Sequence, residues 1–211
     1  MRKNRRRLRA VSAELAALAA LMTVPLSSAV AAPAGDSATP HAAGAANAAP
    51  ALAAKRLDIT MQAQLQTNWC WAAGGNTIAA YFGRNYSQNQ FCNAAFNRNQ
   101  NTQCPNNQAT LGNVQTGLSW AGVRPGSYIG NWLRYPAVQT DIDQNRPIET
   151  RIQWSSGGGH MHVIYGYDTA NSWVYWADPW PSSSRYNWGS HAWYVNNNSF
   201  SWTHSLYRIG A

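Results

Sequence analysis

The segment that decides the fold is residues 68–83, NWCWAAGGNTIAAYFG. Ile78 and Phe82 lie one helical turn apart, and Gly83 is a typical signal for the end of a helix. The pattern therefore predicts a helix of about three turns that carries Cys70 in its first turn. Backbone N–H groups at the start of a helix favour an anion and hence the nucleophilic thiolate form of a cysteine.

The cysteine count supports the same residue. The chain has three cysteines, so one is left over if the other two pair. Cys92 and Cys104 lie in a polar stretch, residues 91–104, which lacks helical or strand periodicity and is expected to be a loop. A disulfide there would contribute roughly 3 kcal/mol. Cys70 is then the free thiol and a candidate nucleophile, although a buried structural cysteine or an intermolecular disulfide are alternatives.

The amino-terminal residues 1–31 have the pattern of an export signal. A basic run is followed by an apolar core that is too short to span a membrane, and then by a small-x-small cleavage pattern. An amphipathic surface helix is the alternative interpretation. We therefore expect a secreted, extracellular protein, by either the general or the twin-arginine route, in which disulfides can form.

The chain after the signal divides into two parts. Residues 32–56 are rich in Ala, Pro and Gly and are expected to be a disordered pro-segment or linker. Its last two residues, Lys55 and Arg56, are either a processing point or a solvated charge pair. Residues 57–211 form the expected folded domain, which contains eight arginines, no lysine and six acids. The formal charge of +8 thus resides mainly at the amino terminus, and the domain has no basic cluster for nucleic acid.

The candidate base lies in a glycine-rich entry to an apolar strand. His160 and His162 follow three glycines and point to the same face of that strand. The next strand-like run ends at Asp178. Two hairpin strands can bring a histidine and this acid together, which would give a base and its orienting partner in the order Cys, His, Asp.

These motifs resemble those of papain-like cysteine peptidases, especially secreted bacterial and plant-pathogen effector versions and bacteriocin leader-processing peptidases. The likeness spans about residues 60–208 and rests on three motifs in the family's order. They are Gln64 six residues before a Trp-Cys-Trp-Ala-Ala segment, His160 six residues before Gly-Tyr, and Asp178-Pro-Trp. The resemblance implies two lobes that face each other across a cleft, with the cysteine on a helical lobe and the histidine on a sheet lobe.

The resemblance also implies the role of each residue. Cys70 is the nucleophile, His160 the base, Asp178 the group that orients the imidazole, and Gln64 an oxyanion donor beside the Cys70 backbone N–H. Gln64 could instead be a surface residue, Asp178 could merely cap a turn, and His162 could replace His160. A His-x-His metal pair is a further alternative, but it lacks an obvious third ligand. No metal or organic cofactor is required.

The remaining segments predict an α+β fold, because helices come first and strands follow. Further helices are expected over residues 111–122 and from Pro136 to before Pro147. Strands are expected at 148–154, 160–167 and 173–178, and others near 185–195 and 200–209.

The predicted activity is that of a cysteine endopeptidase that acts on a protein or peptide substrate, as a monomer and away from membranes once the signal is removed. Three alternatives are compatible with the same residues. The enzyme could be a cell-wall peptidoglycan amidase or endopeptidase, it could transfer the acyl group to an amine, or the domain could be a catalytically silent, tryptophan-rich binding module.

Overall fold

The computed structural model describes residues 53–210. The predicted signal, residues 1–31, and most of the predicted linker lie outside this range. The helices are α1 Cys70–Tyr81, α2 Gln88–Ala95, α3 Leu111–Trp120, α4 Tyr135–Asp143 and α5 His191–Val195. The strands are β1 Ala54–Arg56, β2 Ser127–Ile129, β3 Ile148–Trp154, β4 Gly159–Asp168, β5 Trp173–Ala177, β6 Tyr186–Ser190 and β7 Phe200–Tyr207. None of the described helices is long and apolar enough to cross a membrane.

One antiparallel sheet forms the second half of the domain, in the strand order β2-β7-β3-β4-β5-β6. Strand β4 lies near its centre and pairs on one side with β5. On its other side β3 pairs with residues 159–164, and β1 continues that side along residues 166–168. This arrangement places the first residues of β4 beside the end of β5, where the catalytic candidates lie.

Helix α1 packs closely on the sheet and on α2 through two glycines, Gly74 and Gly75. A Cβ at Gly74 would lie 2.7 Å from Oε1 of Glu149, and a Cβ at Gly75 would lie 2.5 Å from the ring of Phe91. Any side chain at these positions would have to displace its neighbour. The two glycines therefore allow α1 to approach both β3 and α2, despite their low helix propensity.

The α+β prediction is confirmed. Helices α1, α3 and α4 lie where the apolar spacing predicted them, as do strands β3, β4, β5 and β7. The prediction near 185–195 was only half right, because the strand ends at Ser190. The Ser190 side chain then accepts a hydrogen bond from the backbone of Trp193 and caps α5.

The expectation of a loop over residues 91–104 was wrong in its first part. Helix α2 occupies Gln88–Ala95, and its amino terminus is fixed by a capping box between Ser87 and Gln90. In this motif each of the two side chains accepts a hydrogen bond from the other residue's backbone N–H. The Ser-x-x-Gln pattern was thus a local signal for a helix that its weak apolar periodicity concealed.

The predicted domain boundary at residue 57 was too late. Residues Ala54–Arg56 form β1, which pairs with the last residues of β4. The Lys55 ammonium donates to the carbonyl of Asp143 at 2.8 Å, and the Arg56 guanidinium lies 3.8 Å from the ring centroid of Tyr175. Lys55 and Arg56 are therefore part of the folded domain rather than a solvated charge pair in a disordered linker.

Candidate active site

Cys70 is the first residue of α1, and the two tryptophans that flank it hold its position. The indole N–H of Trp69 donates to the carbonyl of Pro105, and that of Trp71 donates to the carbonyl of Asn107, each at 3.1 Å. Both indoles are almost fully buried. Cys70 itself is only partly buried and has a free thiol, so the nucleophile candidate is accessible on a rigid support.

The predicted disulfide between Cys92 and Cys104 is present and anchors this support. It ties α2 to the residue directly before Pro105, whose carbonyl accepts the Trp69 hydrogen bond. Asn68, two residues before Cys70, donates its backbone N–H to Oδ1 of Asn106 on the same loop and its side-chain amide N–H to the Asn106 carbonyl, each at 2.9 Å. The disulfide thus restrains the loop that holds the cysteine, rather than an isolated surface loop.

His160 and Asp178 come together as the hairpin prediction required. His160 lies at the start of β4, and its Nε2 is 2.7 Å from Oδ1 of Asp178, which follows β5. The same carboxylate oxygen accepts the backbone N–H of Trp180 at 2.8 Å. Trp154 stacks parallel to the His160 ring and Trp180 meets it edge-on. These indoles shield the hydrogen-bonded pair from water.

The electrostatic environment favours a charged pair. Burial lowers the pKa of His160, but hydrogen bonds with Asp178 and Cys70 and their charges outweigh it and raise the pKa to about 9. Burial likewise disfavours the Asp178 carboxylate, yet its hydrogen bonds with His160 and His162 lower its pKa overall. At neutral pH the pair is therefore an imidazolium and a carboxylate.

His162 occupies the buried side of the same carboxylate. Its Nε2 lies 3.6 Å from Oδ2 of Asp178, and its Nδ1 lies 3.2 Å from the hydroxyl of Tyr194. The Tyr194 hydroxyl in turn lies 2.7 Å from the Thr150 hydroxyl. Burial, opposed by Asp178, lowers the pKa of His162. His162 is thus a neutral residue behind the Asp178 carboxylate, and His160 is the histidine that faces the thiol.

Gln64 is buried near the cysteine, but its amide points elsewhere. Both hydrogen bonds from its Nε2 go to backbone carbonyls, those of Gln66 and Thr67, at 2.9 Å each. Its Oε1 is buried and has no hydrogen-bond partner among residues 53–210, and its backbone N–H donates to the carbonyl of Pro179. In this arrangement Gln64 braces the segment before α1, and its role as an oxyanion donor stays a prediction.

Sequence reasoning missed Glu149, which lies in β3 beneath α1. Its side chain is fully buried, and neither carboxyl oxygen has a hydrogen-bond partner among the described residues. Burial first, and then the charge of Cys70, raise its pKa well above the usual value. The only sequence signal was an acid at an inward position of an alternating strand, which does not reveal what lies opposite.

Three potential metal ligands also meet here, namely His160, His162 and Asp178, whose ligand atoms lie within 4.8 Å of one another. The third ligand that the sequence spacing did not offer is thus Asp178. His160 already bonds this carboxylate at 2.7 Å, so a metal would have to replace the hydrogen bond that orients the imidazole.

The three candidates Cys70, His160 and Asp178 line one cavity of about 320 Å³. One wall comes from α1 and the loop at Gln108 and Ala109, and the other from the sheet. A thiol, an imidazole and a carboxylate between a helical and a sheet part define a papain-like cysteine protease.

The comparison with protein families agrees with this class. The model for the papain-like cysteine protease AvrRpt2 matches residues 53–199, which is well over half of the chain. The chain therefore belongs to the AvrRpt2 family of papain-like cysteine proteases. A search among curated proteins gives no match.

Two solved structures have a similar fold. The peptidase domain of Streptococcus ComA, a bifunctional ABC transporter involved in quorum sensing, shares 19% identity over 71% of this chain and 96% of that one, with a TM-score of 0.52. A double-glycine-motif protease from an AMS/PCAT transporter, solved with its leader peptide, shares 14% identity over 74% and 95% of the two chains, with a TM-score of 0.49. At these identities the ComA likeness establishes the fold alone.

Proposed function

We propose that this protein is a secreted cysteine endopeptidase that cleaves peptide bonds through Cys70, His160 and Asp178. The observation that carries the proposal is the 2.7 Å bond between His160 and Asp178 in the same cavity as the free thiol of Cys70. Membership of a cysteine protease family supports the activity. The site residues are assigned from their geometry in this chain.

The proposed reaction is acyl transfer to sulfur. Transfer of the Cys70 thiol proton to His160 gives a thiolate beside an imidazolium, the form of His160 that its raised pKa favours, and the thiolate attacks the carbonyl carbon of the substrate peptide bond. The carbonyl oxygen becomes an oxyanion, and the backbone N–H of Cys70 is its proposed hydrogen-bond donor. When the C–N bond breaks, His160 gives its proton to the leaving amine and a thioester remains.

Water then completes the cycle. His160 takes a proton from the water as its oxygen attacks the thioester carbonyl, and the C–S bond breaks to release the carboxylic acid and regenerate Cys70. Asp178 keeps the imidazole oriented in both half-reactions through its bond to Nε2. The residues of this chain thus supply the nucleophile, the acid and the base.

Secretion is proposed from residues 1–31, whose basic and apolar runs precede a small-residue cleavage pattern. The disulfide between Cys92 and Cys104 is consistent with an oxidising compartment. The proposed substrate is a protein or peptide, and the proposed working form is a monomer.

The test is cleavage of casein by the secreted protein and its Cys70→Ala variant, with products identified by mass spectrometry. We expect Cys70→Ala to lose cleavage while it keeps its yield and circular dichroism spectrum. His160→Asn should behave likewise. The matched control is His191→Asn, because His191 lies outside the cavity and bonds the carbonyl of Leu133; it should remain active.

Three results would contradict the proposal. Casein cleavage that persists in Cys70→Ala would show that another group performs the reaction. An intact wild-type protein that cleaves cell walls in a zymogram but no casein would favour the peptidoglycan amidase instead. If iodoacetamide labels Cys70 of the wild type at neutral pH no faster than it labels a small-molecule thiol, the silent binding module would be favoured.

A further inference from the structure

Arg151 lies on β3 where two cavities meet, and the mechanism does not use it. It lines the cavity of Cys70 and also a neighbouring cavity of about 360 Å³. Ala109 lines both as well, from the opposite wall. A peptide chain that lies across Cys70 can therefore extend from the first cavity into the second past the guanidinium.

The guanidinium also lies against the catalytic strand. A Cβ at Gly159 would be 2.7 Å from Nη2 of Arg151, and Gly159 directly precedes His160. The absence of a side chain at Gly159 thus leaves space for the guanidinium. When a substrate peptide bond lies at Cys70, a substrate side chain a few residues away along the peptide can consequently reach the Arg151 guanidinium.

The neighbours of Arg151 are neutral. Its Nη1 donates to the Thr203 hydroxyl and its Nη2 to Oε1 of Gln153, each at 2.9 Å. The remaining N–H donors of the guanidinium have no protein acceptor among residues 53–210. No carboxylate in that range forms an ion pair with Arg151. Asp178, the carboxylate in the first cavity, is already bonded to His160.

The second cavity adds no negative charge. Its other walls carry polar but uncharged groups such as Gln115 and Tyr128. His204 also lines it, and burial together with the charge of Arg151 lowers its pKa. The two cavities therefore share one permanent positive charge, which has no counter-ion within the part of the chain that the structure describes.

We propose that Arg151 forms a specificity subsite that binds the carboxylate side chain of an Asp or Glu located within a few residues of the scissile bond. A guanidinium binds a carboxylate through two parallel hydrogen bonds, and partial burial strengthens such a pair. The inference rests on the proposed peptidase function and adds to it the chemical class of one substrate side chain.

The test starts with the wild-type enzyme and a mixed peptide library, whose cleavage products are sequenced by mass spectrometry. We expect an acidic residue to be enriched at one position near the cut. A pair of peptides that differ only by Glu or Gln at this position should then differ in kcat/KM by about tenfold or more. The difference should shrink at high salt, because salt screens charge pairs.

Variants connect the preference to the residue. Arg151→Met should reduce the difference between the Glu and Gln peptides to about twofold or less, whereas Arg151→Lys should keep a preference for Glu. Arg151→Glu should favour a Lys peptide. The matched control is Arg134→Met, an exposed arginine outside both cavities, which should keep the wild-type preference. The rate of iodoacetamide labelling of Cys70 checks that each variant has an intact site.

The outcomes separate the two proposals. If the wild type cleaves peptides but treats Glu and Gln alike, the inference about Arg151 is overturned and the peptidase function stands. If the preference for Glu survives Arg151→Met in a protein with normal labelling, another residue binds the carboxylate and the assignment is overturned. If no peptide is cleaved although Cys70 is labelled, the peptidase proposal fails and this inference fails with it.

Discussion

Replacing Asp178 with Asn should shift the pH range in which His160 carries a proton. The substitution keeps the size of the side chain and an oxygen that can accept from His160, but it removes the negative charge. In the wild type, hydrogen bonding to Asp178 is the largest of the effects that raise the pKa of His160, against the opposing effect of burial. The imidazolium should therefore lose its proton at lower pH in the variant.

The magnitude follows from the site itself. The pKa of His160 rises from 6.5 to about 9, which corresponds to roughly 3 kcal/mol in favour of the imidazolium. Burial opposes this rise, so the contributions of Asp178 and Cys70 together exceed that amount. If Asp178 supplies only half of it, the loss of its charge lowers the pKa of His160 by about one unit or more.

The assay uses the reactivity of Cys70, the only free thiol in the described range, and therefore needs no substrate. Iodoacetate is an anion and is attracted by the imidazolium, whereas iodoacetamide is neutral. The ratio of their rates thus reports the charge on His160. We expect this ratio to fall near pH 9 in the wild type and at least about one pH unit lower in Asp178→Asn.

The matched control is Asp168→Asn, the same chemical change at the far end of β4. It should leave the midpoint of the ratio where it is in the wild type. An unchanged midpoint in Asp178→Asn would refute the view that Asp178 stabilises the imidazolium. A ratio that does not vary with pH in the wild type would mean that no titrating imidazole lies beside Cys70.

Three further substitutions test the support of the site. Glu149→Gln should increase the free energy of unfolding relative to the wild type as pH rises above 4.5, by up to about 1.4 kcal/mol per pH unit. The reason is that Glu149 in the folded wild type keeps a proton that the unfolded chain releases. A difference in unfolding free energy between variant and wild type that stays constant across pH, measured by urea unfolding, would contradict this prediction. Gly74→Ala should lower the free energy of unfolding by about 1–3 kcal/mol, because the added methyl would lie 2.7 Å from Oε1 of Glu149. The loss should be smaller when Gly74→Ala is combined with Glu149→Ala. Additive losses in a double-mutant cycle would refute this contact. Replacing both Cys92 and Cys104 by Ser should lower the free energy of unfolding by about 3 kcal/mol. It should also change the rate of Cys70 alkylation, because the loop that holds the flanking tryptophans is released. An unaltered melting temperature would contradict this prediction.

The sequence by itself determined the elements that depend on local spacing. The apolar periodicity of residues 68–83 predicted α1, and alternation predicted β3. The odd number of cysteines identified Cys70 as the free thiol, because Cys92 and Cys104 are close enough in sequence to pair. These features are set by neighbours along the chain, so a single sequence contains them.

Helix α2 and strand β1 were harder to predict, because the spacing of apolar residues does not indicate either of them. Helix α2 depends on the capping box at Ser87 rather than on apolar spacing. Strand β1 exists because β4 extends past Ile148, the first residue of β3, and there offers its hydrogen bonds to residues 54–56. An Ala-rich segment has little strand propensity of its own, and only the open edge of β4 makes it a strand.

The tertiary structure alone decided which polar groups face each other. His160 and His162 have the same direction along β4, yet only His160 lies between Asp178 and the cysteine, while His162 is placed behind the carboxylate. Strand β3 carries both Glu149, which lies under α1, and Arg151, which lies at the junction of the two cavities. Both positions result from the packing of the sheet against the helical half of the domain. Such encounters join residues far apart in the chain, and their energies depend on burial and distance, which no local pattern of residues records.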